Sequence, residues 1–138
     1  MVNQDILLKI QDSIQNTIIS TIGIEITDIG DDYVCGKMPV DERTVQIFGI
    51  LHGGASVTLA ESLGSIAGYM QIDQQNEAVM GIEINANHIK SVKEGWVYGK
   101  ASPIKIGKKI QVWEIQIADE EKKLVCISSL TLVVVKKR

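Results

Sequence analysis

Aromatic residues are scarce: the 138-residue chain carries two Trp, three Tyr and one Phe. A platform for stacking nucleic-acid bases needs more of them. Excess positive charge is also missing, since the formal net charge is −3. Phosphate-rich partners call for a basic face, so general nucleic-acid binding is excluded as an expectation. No apolar run is long enough to cross a bilayer. The opening Met1-Val2-Asn3-Gln4-Asp5 lacks the cationic start of a secretory leader, which predicts a cytoplasmic protein without membrane partners. The two cysteines, Cys35 and Cys126, lie far apart and in no metal-ligand spacing. They read as ordinary strand residues in a reducing compartment. HExxH, CxxC, an Asp-rich loop, G-x-S-x-G and a glycine-rich phosphate loop are all absent, so neither a metal nor a cofactor is expected.

Linkers, repeats and low-complexity segments are missing too, and the length suits one domain spanning residues 1–138. Ile6, Leu7, Ile10, Ile14 and Ile18 recur every three or four residues, predicting one helix that stops near Gly23. Strands follow over Ile24–Ile29 and Tyr33–Val40, joined at Gly30-Asp31-Asp32. A loop over Asp41–Leu51 carries Gln46 and Phe48-Gly49. A second helix spans Ala55–Gln71, opened by Gly53-Gly54. Its Ala60, Gly64 and Gly68 form a small-residue stripe. Glycine inside a helix costs about 1 kcal/mol relative to alanine, so the stripe predicts close approach by another backbone. Strands are then expected over Val79–Val92, Trp96–Ser102, Ile104–Ile117 around Gly107, and Leu124–Val135. In the first of these, Ile82, Ile84 and Ala86 should share one face, with Glu83, Asn85 and Asn87 on the other. The order α-β-β-α-β-β-β-β predicts an α+β layout with a sheet wrapped around the second helix.

The residues with chemical potential cluster around that helix. His52-Gly53-Gly54 falls where it begins. The first N–H groups of a helix lack internal partners and carry the positive end of its dipole. Such a terminus can stabilise an oxyanion, and glycine lets a ligand come close. Glu61 lies mid-helix among Leu59, Ala60 and Leu63, where a carboxylate can serve as base or nucleophile. Ser65 follows one turn later on the same side. Gly53 and Glu61 are eight residues apart, or about 12 Å at the helical rise. A reacting carbon must lie about 3 Å from both the donor and the attacking group. One chain therefore cannot easily supply both, and two such helices antiparallel across a two-fold axis can. From residue chemistry alone, a solvated Glu61, a merely capping His52 and an ordinary loop residue at Gln46 stay open as alternatives.

Gln46 with Phe48-Gly49, then Leu51-His52-Gly53-Gly54-Ala55-Ser56-Val57, then Leu59-Ala60-Glu61-Ser62, resembles the hotdog-fold acyl-CoA thioesterases. The resemblance is to the 4-hydroxybenzoyl-CoA thioesterase type, and within it to the 1,4-dihydroxy-2-naphthoyl-CoA thioesterases of menaquinone biosynthesis. Gly81-Ile82-Glu83-Ile84-Asn85-Ala86-Asn87-His88 matches as well. It implies a hotdog fold, in which an antiparallel sheet wraps a long central helix, assembled as homodimers with shared sites and often as dimers of dimers. It implies that Glu61 attacks or activates water, that the Gly53 N–H polarises the thioester carbonyl, and that Gln46, His52 and Ser65 assist. It assigns coenzyme A contacts, the coenzyme being part of the substrate, to Gly81, His88, Lys90 and Ser91, and to Lys105, Gly107, Lys108 and Lys109. The residues agree to this extent: His88 and Lys90 share a strand face, and ammonium groups around Gly107 can bind phosphates as point charges. Lys136-Lys137-Arg138 reads instead as a frayed tail. One departure is Ile47, where relatives often have Pro before Phe. The competing readings are a broad-specificity thioesterase, a hotdog dehydratase and a non-catalytic acyl-CoA-binding protein.

Overall fold

Alternating apolar residues dominate the second half of the chain, and that half forms most of one sheet. The computed structural model describes residues 4–138. Met1, Val2 and Asn3, part of the opening read as lacking a secretory start, lie outside the described residues. Helices α1 (Gln4–Ser13) and α2 (Ile18–Thr21) lead into strands β1 (Glu25–Ile29) and β2 (Val34–Pro39). Helix α3 (Gly53–Tyr69) follows, then β3 (Glu77–His88), β4 (Trp96–Ile106), β5 (Ile110–Ala118) and β6 (Leu124–Lys136). The six strands are ordered β1-β2-β4-β5-β6-β3, every pairing antiparallel. The predicted α+β hotdog layout is thus present, with α3 packed on β2 through β6. No helix among the described residues is long and apolar enough to cross a membrane.

The seating of α3 explains its glycines. Leu63 projects into a hole made by Gly36 and Gly99, which face each other across β2 and β4. A Cβ on either would come within 2.7 Å of a Leu63 methyl. A Cβ on Gly64 would meet Leu130 at 2.6 Å, and one on Gly68 would meet Leu132 at 2.3 Å. The expected close approach to the small-residue stripe is therefore real, but leucine side chains of β6 make it rather than another backbone. Buried Gln111 closes this end of the core. It accepts from the Trp113 indole N–H at 2.8 Å and donates to the Gly68 carbonyl at 3.3 Å. A buried polar side chain is tolerated because both its ends are paired.

Four expectations need correction. The first helix is broken: Asn16 adopts the left-handed conformation with φ of 62°, and Thr17 caps α2 by accepting from the Ile19 N–H. Asparagine tolerates that conformation and commonly ends helices. In β3, a bulge between Gly81 and Glu83 removes Ile82 from the row formed by Ile84 and Ala86. Those two pack on the core, whereas Ile82 is 58% exposed. β4 does not stop at Ser102 but continues through Pro103 to Ile106. The missing proline N–H is harmless because β2 pairs only as far as Ala101, and a bulge follows between Pro103 and Lys105. The tail is not frayed: Lys136 pairs with Glu77, and Lys137 donates its N–H to Asn76 and its ammonium to the Gln74 carbonyl. The two cysteines do sit in strands, β2 and β6, as free thiols that burial pushes up in pKa.

Candidate active site

The start of α3 is built from local hydrogen bonds. His52 is the N-cap, and its Nδ1 accepts from the Gly54 N–H at 2.7 Å. The Ala55 and Ser56 N–H groups turn back to the His52 carbonyl. That leaves the Gly53 N–H without an acceptor among the described residues. It is a helix-terminal donor at the positive end of the dipole. With Nδ1 accepting, neutral His52 carries its proton on Nε2, a second donor directed away from the cap. The structural role foreseen for His52 and the functional one are thus compatible.

The preceding loop is more ordered than its composition suggested. Val45 and Leu51 form an isolated antiparallel bridge, and His52 donates its N–H to the Thr44 carbonyl. Within the bridge, Gly49 takes a φ of 78° and donates to the Gln46 carbonyl. The Gln46 side-chain oxygen accepts from the Phe48 N–H. This leaves the amide NH2 of Gln46 without an acceptor among the described residues. Ile47 and Phe48 form the tip, 93% and 80% exposed.

A groove of about 370 Å³ opens beside the helix terminus, lined by Gly53, Ser56, Leu51, His88, Lys90 and Ser91 among others. The His88 ring lies against Gly53, where a Cβ would meet Nε2 at 2.8 Å. Lys90 is tied to Asp119, which also accepts from the Glu121 and Lys123 N–H groups at 2.9 Å. The ammonium and these N–H groups hold the Asp119 carboxyl below the usual carboxylate range.

Glu61 and Ser65 face a different groove, of about 400 Å³, formed where α2 crosses α3. Ile18, Ile19, Thr58 and Ile66 are among its other walls. Sequence reading missed α2 entirely as part of the site. The apolar period had placed Ile18 on the buried row, whereas it is 61% exposed and lines this groove. Ser62 and Thr58 bond back to carbonyls of the preceding turn, as helical hydroxyls do. The Glu61 carboxylate and Ser65 hydroxyl have no partner among the described residues. Glu61 lies instead over Gly81 in β3.

The residues assigned to coenzyme A divide between the two ends of β3. His88, Lys90 and Ser91 sit by the first groove. Lys105, Gly107, Lys108 and Lys109 form the β4–β5 hairpin beside the Glu77 end, where Val134 bonds the Lys109 carbonyl. Gly107 also has a structural reason to be glycine, since a Cβ would approach the Ile110 carbonyl to 2.7 Å. Among the described residues no group of three or more His, Cys, Asp or Glu is placed to hold a metal ion. One chain therefore presents amide donors in one groove and a free carboxylate in another.

Residues 48–126 match the thioesterase superfamily model, a stretch that includes the helix terminus, Glu61 and β3. The chain belongs to the thioesterase superfamily. It is 49% identical over 117 residues to the 1,4-dihydroxy-2-naphthoyl-CoA hydrolase of Escherichia coli, covering 85% of each. It is 47% identical to a proofreading thioesterase of Cronobacter turicensis, covering 86% of this chain and 85% of that one. A crystal structure of a Haemophilus influenzae thioesterase superposes with a TM-score of 0.91 at 47% identity, covering 94% of this chain and 90% of that one. This thioesterase is accordingly a thioester hydrolase with the hotdog fold, similar to one enzyme named for an aryl-CoA substrate and to another named for proofreading.

Proposed function

We propose that the chain is an acyl-CoA thioesterase of aromatic preference, with 1,4-dihydroxy-2-naphthoyl-CoA as its candidate substrate, working in sites shared by two subunits. The whole chain is read as one hotdog domain. The observation that carries the shared site is the placement of both half-sites on β3: Glu61 lies over Gly81, and Gly53 lies against His88. β3 is one of the two edge strands of the sheet, with Met80 and Ile82 each 58% exposed. A long unpaired edge is a template for a second strand. Antiparallel pairing of two β3 strands about a two-fold axis between Ile84 and Asn85 sets Gly81 of one chain opposite His88 of the other. Each Glu61 then faces the Gly53 terminus of its twin. The same pairing carries the Lys105–Lys109 hairpin of one chain toward the His88–Ser91 end of the other, reuniting the divided coenzyme A residues.

In such a site the thioester oxygen accepts from the Gly53 N–H, with the Nε2–H of His52 and the amide of Gln46 as further donors. Glu61 removes a proton from water while the water oxygen bonds to the acyl carbon, or bonds to that carbon itself and is released by water in a second step. The carbon–sulfur bond breaks, and coenzyme A leaves as a thiolate that takes a proton. Ser65 orients the water or the carboxylate. No cofactor enters the scheme. Similarity to a proofreading thioesterase favours a second reading, a broader enzyme that clears mischarged thioesters.

Co-expression of Glu61→Gln and His52→Ala chains with different tags tests the shared site. Each variant alone should be nearly inactive. The purified hybrid has one intact site of two, so it should recover about half the wild-type turnover. A hybrid as inactive as its parents rejects sharing. A hydrolysis screen over aryl and alkyl CoA thioesters then separates aromatic preference from broad specificity.

A further inference from the structure

Gly81 was assigned above to the coenzyme, through a resemblance. Its surroundings point elsewhere. A Cβ built on it would meet the Glu61 Oε2 at 2.8 Å, and the next nearest group, a Leu130 methyl, only at 3.7 Å. Gly81 is not in the left-handed region, where Gly23, Gly49 and Gly95 are, so its backbone admits alanine. The residue is paired with Leu132 on β6, and the β3 bulge begins immediately after it. No hydrogen bond or ion pair among the described residues holds the carboxylate. The bare backbone at Gly81 therefore forms the floor on which it rests.

We infer that Gly81 is a positioning residue for Glu61: lacking a side chain, it leaves open the seat from which the carboxylate reaches the acyl carbon. This rests on the reading of Glu61 as the attacking group or base. Adding one methyl group at position 81 displaces the end of a flexible side chain rather than backbone or core. The fold should tolerate it and the chemistry should not. A contact to coenzyme A would show the reverse pattern, weaker binding with turnover preserved.

The test uses Gly81→Ala, Glu61→Asp, Glu61→Gln and the Gly81→Ala/Glu61→Asp double variant, assayed with benzoyl-CoA by thiol release and with free coenzyme A as inhibitor. Misplacing a reacting group by about 1 Å can lower turnover about 100-fold. Gly81→Ala should lower kcat to that extent, with an unchanged melting temperature and with KM and the inhibition constant of coenzyme A held within about twofold. In the Glu61→Asp background the shorter side chain withdraws from the floor, so adding Gly81→Ala should change kcat by less than about threefold. Three results overturn the inference while sparing Glu61: wild-type kcat in Gly81→Ala, raised KM with kcat intact, or a full 100-fold loss repeated in the aspartate background. An unfolded Gly81→Ala protein also overturns it, because the clash would then not be confined to the carboxylate. Full turnover by Glu61→Gln instead removes the reading of Glu61 itself, and the role of Gly81 with it.

Discussion

The two half-sites proposed for this thioesterase are made of different material. The donor half at the start of α3 is centred on a backbone N–H, locked by the His52 cap, the His52–Thr44 hydrogen bond and the Val45–Leu51 bridge. The carboxylate half is a side chain with no hydrogen-bonded partner among the described residues, resting on a glycine in a groove walled by α2 and α3. The lesson is a division of labour. Oxyanion donors work best when preorganised, because they then need not reorient as charge develops. In the proposed reaction the carboxylate must reach water or the acyl carbon and then withdraw, which suits a group positioned by shape and left unbound.

The sharpest way to break this comparison is Glu61→Gln. Loss of general-base or nucleophilic catalysis should reduce kcat about 10²–10⁴-fold with coenzyme A inhibition unchanged. Retained thiol release would show that the donor half suffices. Gly53→Ala perturbs the other half. Its Cβ would strike the His88 ring, so substrate should be misplaced and kcat/KM should fall about 10- to 100-fold, with melting little altered. An unaffected enzyme would mean that the thioester oxygen is not held at the Gly53 N–H. His52→Ala separates rigidity from chemistry: losing an N-cap costs about 1 kcal/mol, readable by urea denaturation. A smaller fall in stability than for an ordinary cap would show that the bridge alone holds the helix start.

The smallest effect concerns acid. Asp119 has its carboxyl held down by Lys90 and two backbone N–H groups. A carboxylate with a depressed folded pKa stabilises the fold above its unfolded value of about 4, and that stability is lost as pH falls through the folded value. Asp119→Asn should therefore flatten the loss of stability below about pH 4 and leave neutral-pH turnover intact. Acid unfolding unchanged from wild type would show that the Lys90–Asp119 pair adds nothing.

Much of the candidate site's local geometry could be read along the chain because its signals are short-range. A histidine before two glycines and an apolar-faced segment mark a helix start whatever surrounds them, and the helical rise alone separates Gly53 from Glu61 by about 12 Å. The first helix was misread because one asparagine outweighed a continuous apolar period. The row expected from Ile82 failed because a bulge is set by pairing with β6, which alternation cannot reveal. Pro103 looked like a strand end, yet its neighbour β2 had already stopped pairing.

Sequence alone determined the family, the helix that holds the candidate residues and the separation of Gly53 from Glu61 within one chain. Only the tertiary structure decided that Glu61 rests on Gly81, that His88 lies against Gly53 and that the lysine hairpin sits at the opposite end of β3. The physical reason is range. Caps and turns are settled by hydrogen bonds a few residues long, whereas contacts between α3 and β3 depend on strand order and register.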